Sequence, residues 1–113
     1  MHLFVYGSLT NPRRLDEVIG HVHAGERLRA RLRGYERQQR PDEPYPFVVP
    51  APGAWTDGVL ILDLSEADVR AIDAYEEVDQ RRYRREPVLV EVWGCGPGTP
   101  SLAAETYVAG SAR

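Results

Sequence analysis

Between Arg27 and Arg33 the chain alternates without a break, with Arg27, Arg29, Arg31 and Arg33 at one parity and Leu28, Ala30 and Leu32 at the other. Successive side chains of an extended strand point to opposite faces, so this segment has one apolar face to bury and one charged face to leave in water. The chain must therefore build a sheet with a covered side. At 113 residues and 42% hydrophobic content it has material for one core, which predicts one compact domain over 1–113. The arginine face has two readings: paired with Asp and Glu across strands, or gripping nucleic-acid phosphates. A net charge of −3 and the want of an aromatic stacking platform beside the row favour the paired, solvated face and no nucleic-acid partner.

Around this strand the other elements follow from pattern. Residues 2–6 are a short apolar run ending at Gly7, which predicts a buried strand. Asn11 is placed to cap a helix that opens on Pro12, carries Leu15, Val18 and Ile19 on one face and stops at Gly20. Gly34-Tyr35 breaks the alternation, and residues 38–46 predict a polar, proline-rich surface loop. Phe47-Val48-Val49 predicts a brief strand closed by Pro50, then a turn at Pro52-Gly53. Residues 55–64, apolar on both faces, predict a central strand.

Ser65 and Asp68 have capping-box spacing ahead of a helix running to about Val78. Pro87 is expected to start a strand, and residues 94–100 to form a turn that lacks the lysine of a nucleotide-binding P-loop. A last strand is expected at 103–108 and a loose tail at 109–113. Runs of strands interrupted by two helices define an α+β chain whose largely antiparallel sheet curls towards a small barrel.

Two places carry chemistry. Gly7, between strand and helix, allows a positive φ or close ligand approach, and the amides beside it suit a carboxylate or phosphate. On the second helix Val69, Ile72 and Glu76 share a stripe, with Asp73 beside them. A carboxylate on a core-facing stripe loses solvation, which favours its protonated form and suits a general base. The alternative is that Glu76 pairs with Arg81, Arg82 or Arg85. His21 and His23 would point the same way on a strand, but no ligand cluster completes a metal site, and Cys95 has no partner thiol. No apolar run approaches the roughly 20 residues of a membrane span, and no signal-peptide pattern opens the chain, so a cytoplasmic location without a membrane partner is expected.

Taken in order, Phe4-Val5-Tyr6-Gly7-Ser8-Leu9, Gly34-Tyr35, Tyr45-Pro46 with Pro50, Gly58, Asp73-Ala74-Tyr75-Glu76 and Tyr83-Arg84-Arg85 resemble the γ-glutamyl cyclotransferase-like superfamily, particularly its short bacterial and plant avirulence-induced-gene-like members. That resemblance implies a mixed β-barrel with flanking helices and a cavity at the barrel mouth. It implies Glu76 as acid/base, Tyr6, Gly7, Ser8, Leu9, Gly34, Tyr35 and Tyr83 as substrate-binding residues, a small γ-glutamyl compound as substrate, and no metal or organic cofactor. It names neither the amine released nor an oligomeric state. Glu77 stands where family members commonly have glycine or another small or acidic residue, and residues 80–82 lengthen the link to Tyr83 relative to the shortest members. Two rivals remain at this point: a non-catalytic small-molecule binding module using the same cavity, and a nucleic-acid or partner-binding protein using the arginine strand.

Overall fold

The computed structural model describes residues 1–39, 41, 46–76, 83–93 and 100–109. Five strands and two helices follow in the order β1 (Leu3–Val5), α1 (Pro12–Ile19), β2 (Arg27–Gln38), β3 (Phe47–Ile61), α2 (Glu66–Tyr75), β4 (Tyr83–Val92) and β5 (Ser101–Ala109), with a 3-10 turn, Ser8–Thr10, between β1 and α1. The strands close into a barrel in the order β1-β3-β2-β4-β5. A closed ring of five cannot be antiparallel throughout, because strand direction would have to alternate around an odd number. Here the one parallel pair is β1 with β5, where Leu3 faces Glu105 and Phe4 faces Thr106. The other four pairings are antiparallel. No helix among the described residues is long and apolar enough to cross a membrane.

Alternation on the strands builds two cores. Phe4, Ala30, Leu32, Leu60, Val90, Val92 and Ala104, drawn from all five strands, fill the barrel. Their neighbours of opposite parity, including Leu3, Val5 and Ile61, pack with Leu9, Leu15, Val69 and Ile72 beneath the helices. The closest approach is at Gly58, where a Cβ atom would lie 2.3 Å from the Val5 carbonyl oxygen and 2.7 Å from the Phe4 ring. Gly58 thereby lets β1 and β3 close around Phe4.

Both helices start and stop where their caps dictate. The Asn11 side chain accepts the Arg13 N–H, Pro12 occupies the first turn, and Gly20 ends α1 at φ 82°. Ser65 and Asp68 form a reciprocal capping box at the start of α2, which closes at Tyr75 with Glu76 as its C-cap. Val78, the expected end of that helix, lies outside the described residues.

Several boundaries differ from expectation. The two strands expected on either side of Pro52-Gly53 are one strand, β3, and both halves pair with β2. Pairing passes from Arg33 opposite Trp55 directly to Tyr35 opposite Pro50, so residues 51–54 form an unpaired excursion that absorbs Pro52 and the left-handed Gly53. β2 bends with it through Gly34, at φ 84°. β4 begins at Tyr83 rather than at Pro87. Its contact with β2 covers only Glu91 and Val92, which leaves Pro87 a free side for its missing N–H. Ala109, expected in a loose tail, pairs with Tyr83 in β5, and residues 110–113 lie outside the description.

Candidate functional site

Beyond Tyr6 the β1 chain turns sharply. Thr10 and Asn11 donate their backbone N–H groups to the Gly7 and Ser8 carbonyls, 3.1 and 3.2 Å away, and close the 3-10 turn. The amides of Gly7, Ser8 and Leu9 precede those bonds and have no protein acceptor among the described residues. Gly7 itself sits at φ −127°, so of the two expected uses of a glycine there, positive φ or close ligand approach, the first is absent. What its missing side chain accommodates is Pro46, whose Cγ would be 3.3 Å from a Cβ at position 7.

A cavity of about 380 Å³ opens against this turn, at the lower end of the roughly 300–1,000 Å³ usual for small-molecule sites. One side is the run from Phe4 to Thr10. The lining is completed by Glu76 from the end of α2, Tyr83 from β4, Tyr107 from β5, Arg37 from the end of β2, and Gln39 and Pro46 just beyond β2 and before β3. Glu76 is half-buried, and its N–H is fastened to the Ile72 carbonyl at 2.8 Å. Among the described lining residues Glu76 is the one carboxylate and Arg37 the one cation.

The tyrosines form the frame. Tyr6 donates its phenol proton to the Tyr107 carbonyl, Tyr83 donates to the Pro46 carbonyl, and Tyr107 donates to Asp73 Oδ1 at 2.6 Å. Arg85 holds the same Asp73 oxygen at 2.8 Å and reaches Glu105 at 3.0 Å, so it is engaged away from Glu76. Ser8 Oγ lies 2.7 Å from the Tyr75 phenol, tying the glycine turn to the residue before Glu76. The Tyr6 phenol is pushed far up from its ordinary pKa by burial first, then by Tyr83 and the Glu76 carboxylate. Burial, followed by Asp73, does the same to Tyr107. Both phenols are therefore neutral hydrogen-bond donors at any ordinary pH.

Tyr6, Gly7, Ser8, Leu9, Glu76 and Tyr83 thus meet in one cavity, while Gly34 and Tyr35 are not among its described lining residues. Gly34 makes the bulge in β2, and Tyr35 packs on the barrel core while its carbonyl accepts the Thr56 hydroxyl. Arg37, Gln39 and Tyr107 were not expected from sequence. For Arg37 a signal existed: a one-residue bulge at Gly34 inverts side-chain parity, so odd positions that face outward before it face inward after it. Glu77, Arg81, Arg82, Tyr45 and Cys95 lie outside the described residues.

The outer face of β2 carries the expected ion pairs, Arg31 with Asp57 at 3.2 Å and Arg33 with Glu91 at 2.9 Å. It also carries the aromatic platform that had not been expected. Arg31 lies 4.8 Å from the Trp55 ring centroid and 4.6 Å from that of Trp93, and Arg29 lies 5.7 Å from Trp93. Elsewhere, His21 Nε2 meets Asp68 Oδ1 at 2.7 Å, and His23 is buried with no hydrogen-bond partner for Nε2 among the described residues. No group of three His, Cys, Asp or Glu side chains among the described residues is placed to hold a metal ion.

The described residues thus form a small closed barrel with a tyrosine-framed cavity of mixed polar and apolar lining. The chain belongs to the gamma-glutamyl cyclotransferase, AIG2-like family, whose model matches residues 3–113. AIG2-like protein C of Arabidopsis thaliana is 26% identical over 106 residues, covering 94% of this chain and 57% of that protein. A solution structure of an Arabidopsis thaliana protein superposes with a TM-score of 0.79 at 23% identity, covering 96% of this chain and 67% of the other. A solved gamma-glutamyl cyclotransferase superposes with a TM-score of 0.77 at 15% identity, covering 96% and 66% respectively, a likeness of fold. The chain spans less than two thirds of the length of the curated Arabidopsis relatives it matches, 57% of one and 60% of another.

Proposed function

We propose that the chain is a γ-glutamyl cyclotransferase, releasing an amine and 5-oxoproline from a γ-glutamyl compound, with Glu76 as acid/base. The observation that carries the reading is that one cavity is lined by Glu76 and by Gly7, Ser8 and Leu9, whose amides have no protein acceptor among the described residues. Family membership supports it.

The substrate has an α-carboxylate and an α-ammonium at one end of a flexible chain and the scissile amide at the other. The free amides of the turn suit the α-carboxylate, which folds the glutamyl chain so that nitrogen and γ-carbonyl carbon come within roughly 3 Å. Glu76 takes a proton from the ammonium, and the freed amine attacks the γ-carbonyl carbon to close a five-membered ring. The carboxyl then hands its proton to the departing nitrogen as the old C–N bond breaks. The attacking nitrogen loses its second proton through the same carboxylate, and that proton ends on the released amine. Backbone N–H groups stabilise the transient oxyanion. Tyr83 and Tyr6, both neutral donors bonded to backbone carbonyls, keep the walls in register.

A panel of γ-glutamyl amino acids, peptides and amides, assayed for 5-oxoproline and for free amine in equal amounts, tests the reading. Stoichiometric release of both products supports it. Binding without release would instead leave a small-molecule binding module in the same cavity.

A further inference from the structure

Arg37 stands apart from the other arginines of β2. Arg27 pairs with Asp16, Arg31 with Asp57 and Arg33 with Glu91, while Arg29 stacks over Trp93. All four precede the Gly34 bulge. Beyond it Arg37 pairs in register with the buried Val48 and shares the face of Tyr35, which packs on the core inside the barrel. The bulge has turned this guanidinium from the outer wall to the cavity mouth, where it has no carboxylate partner among the described residues. Tyr6, another lining residue whose pKa is raised by burial before anything else, feels the Arg37 charge as an opposing influence.

A guanidinium without a carboxylate partner among the described residues, in a cavity that also holds a carboxylate, asks for an anion on the ligand. In the cyclotransferase reading, on which this inference rests, the α-carboxylate is taken by the amides of the turn and the α-ammonium by Glu76. The group left for Arg37 belongs to the other half of the substrate. We propose that Arg37 is a specificity-determining residue that selects γ-glutamyl compounds whose amine half bears its own carboxylate, as in a γ-glutamyl amino acid or short peptide, over γ-glutamyl derivatives of neutral or cationic amines. A neutral amine offers Arg37 nothing, and a cationic one meets like charge.

γ-Glutamylalanine and γ-glutamylethylamide differ only in that carboxylate, which makes them the test pair. The wild-type chain should favour the alanine compound by about tenfold in kcat/KM, carried by KM, a size set by a charge-assisted hydrogen bond at a solvent-exposed site. Arg37→Gln should erase the preference by weakening the alanine compound alone, and Arg37→Lys should keep part of it. The preference should shrink as salt is raised, a response that a merely structural arginine would not give. Equal handling of the two compounds by wild type, or an equal loss on both in Arg37→Gln, would overturn the proposal. The second outcome would put Arg37 on the glutamyl carboxylate instead. Calorimetric binding of the same pair to wild type and Arg37→Gln separates this inference from the reading beneath it. A carboxylate-dependent affinity lost in the variant, with no 5-oxoproline formed by either protein, would leave Arg37 in its role and refute the cyclotransferase. Absence of binding by both compounds would refute both.

Discussion

The hydroxyls of Ser8 and Tyr75 lie 2.7 Å apart, across 67 positions of sequence, and join the turn after β1 to the last residue of α2. Ser8 belongs to the turn whose amides have no protein acceptor among the described residues, and Tyr75 immediately precedes Glu76. The bond therefore sets the distance between the proposed carboxylate clamp and the proposed base. Tyr75→Phe deletes only the phenol oxygen. Being exposed, the bond contributes little to folding, and unfolding in urea should shift by less than about 1 kcal/mol. Turnover should respond more, with kcat/KM lower by about tenfold, because small misplacements of reacting groups are costly. Unchanged kcat/KM in Tyr75→Phe would show that the two turns are aligned without this contact.

Glu76→Gln keeps the shape of the C-cap residue of α2 and removes the proton acceptor. Loss of general acid–base catalysis predicts kcat lower by roughly 100-fold or more, with substrate affinity largely kept. A Glu77→Gln variant, changed next door in sequence, should lose much less. Wild-type turnover in Glu76→Gln would refute the mechanism.

Gly58 is a stability position without a part in the chemistry. Alanine there places a Cβ 2.3 Å from the Val5 carbonyl and 2.7 Å from the Phe4 ring, a clash with backbone that β1 cannot relieve without leaving the sheet. Gly58→Ala should cost at least about 2 kcal/mol in denaturant unfolding. A Gly20→Ala control, with open space around the position but φ 82°, should cost about 1 kcal/mol from backbone strain alone.

The pair of His21 and Asp68 predicts how stability depends on pH. The hydrogen bond to Asp68 raises the His21 pKa above 6.5 in the folded chain. Burial alone would raise the Asp68 carboxyl, but bonds from His21 and Ser65 outweigh it and hold the carboxyl below 3.8. The histidine contribution is fully present below its unfolded value near 6.5 and is lost as pH rises through the higher folded value. The carboxylate contribution is present above 3.8 and is lost as pH falls through the lower folded value. Urea midpoints should therefore decline from pH 6 to 8, and His21→Gln should flatten that decline while leaving turnover unchanged. A slope equal to that of wild type in the variant would assign the pH dependence elsewhere.

Local chemistry decided what could be read without coordinates. Asn11, Pro12 and Gly20 bound α1, and Ser65 with Asp68 starts α2, because caps act within one turn of chain. The strict alternation of residues 27–33 is a property of a single strand, and it correctly announced a wall with an apolar inside. The stripe of Val69, Ile72 and Glu76 likewise follows from helical period alone.

Long-range geometry decided the rest. Pro52 and Gly53 look like a turn locally, yet β3 runs on through them because β2 bends alongside at Gly34 and both strands keep their partner. Trp55 and Trp93 reach the arginine row from other strands, a proximity invisible in linear spacing. Tyr107 meets Asp73 only because closure of the barrel brings β5 beneath α2. Arg37 shows the division within one strand. Its parity by counting is that of Arg33, and one left-handed glycine, whose bulge forms only against β3, sends it to the opposite face. A strand's alternation is written in its own residues, but which face is inside after a bulge depends on the partner strand that fixes the register.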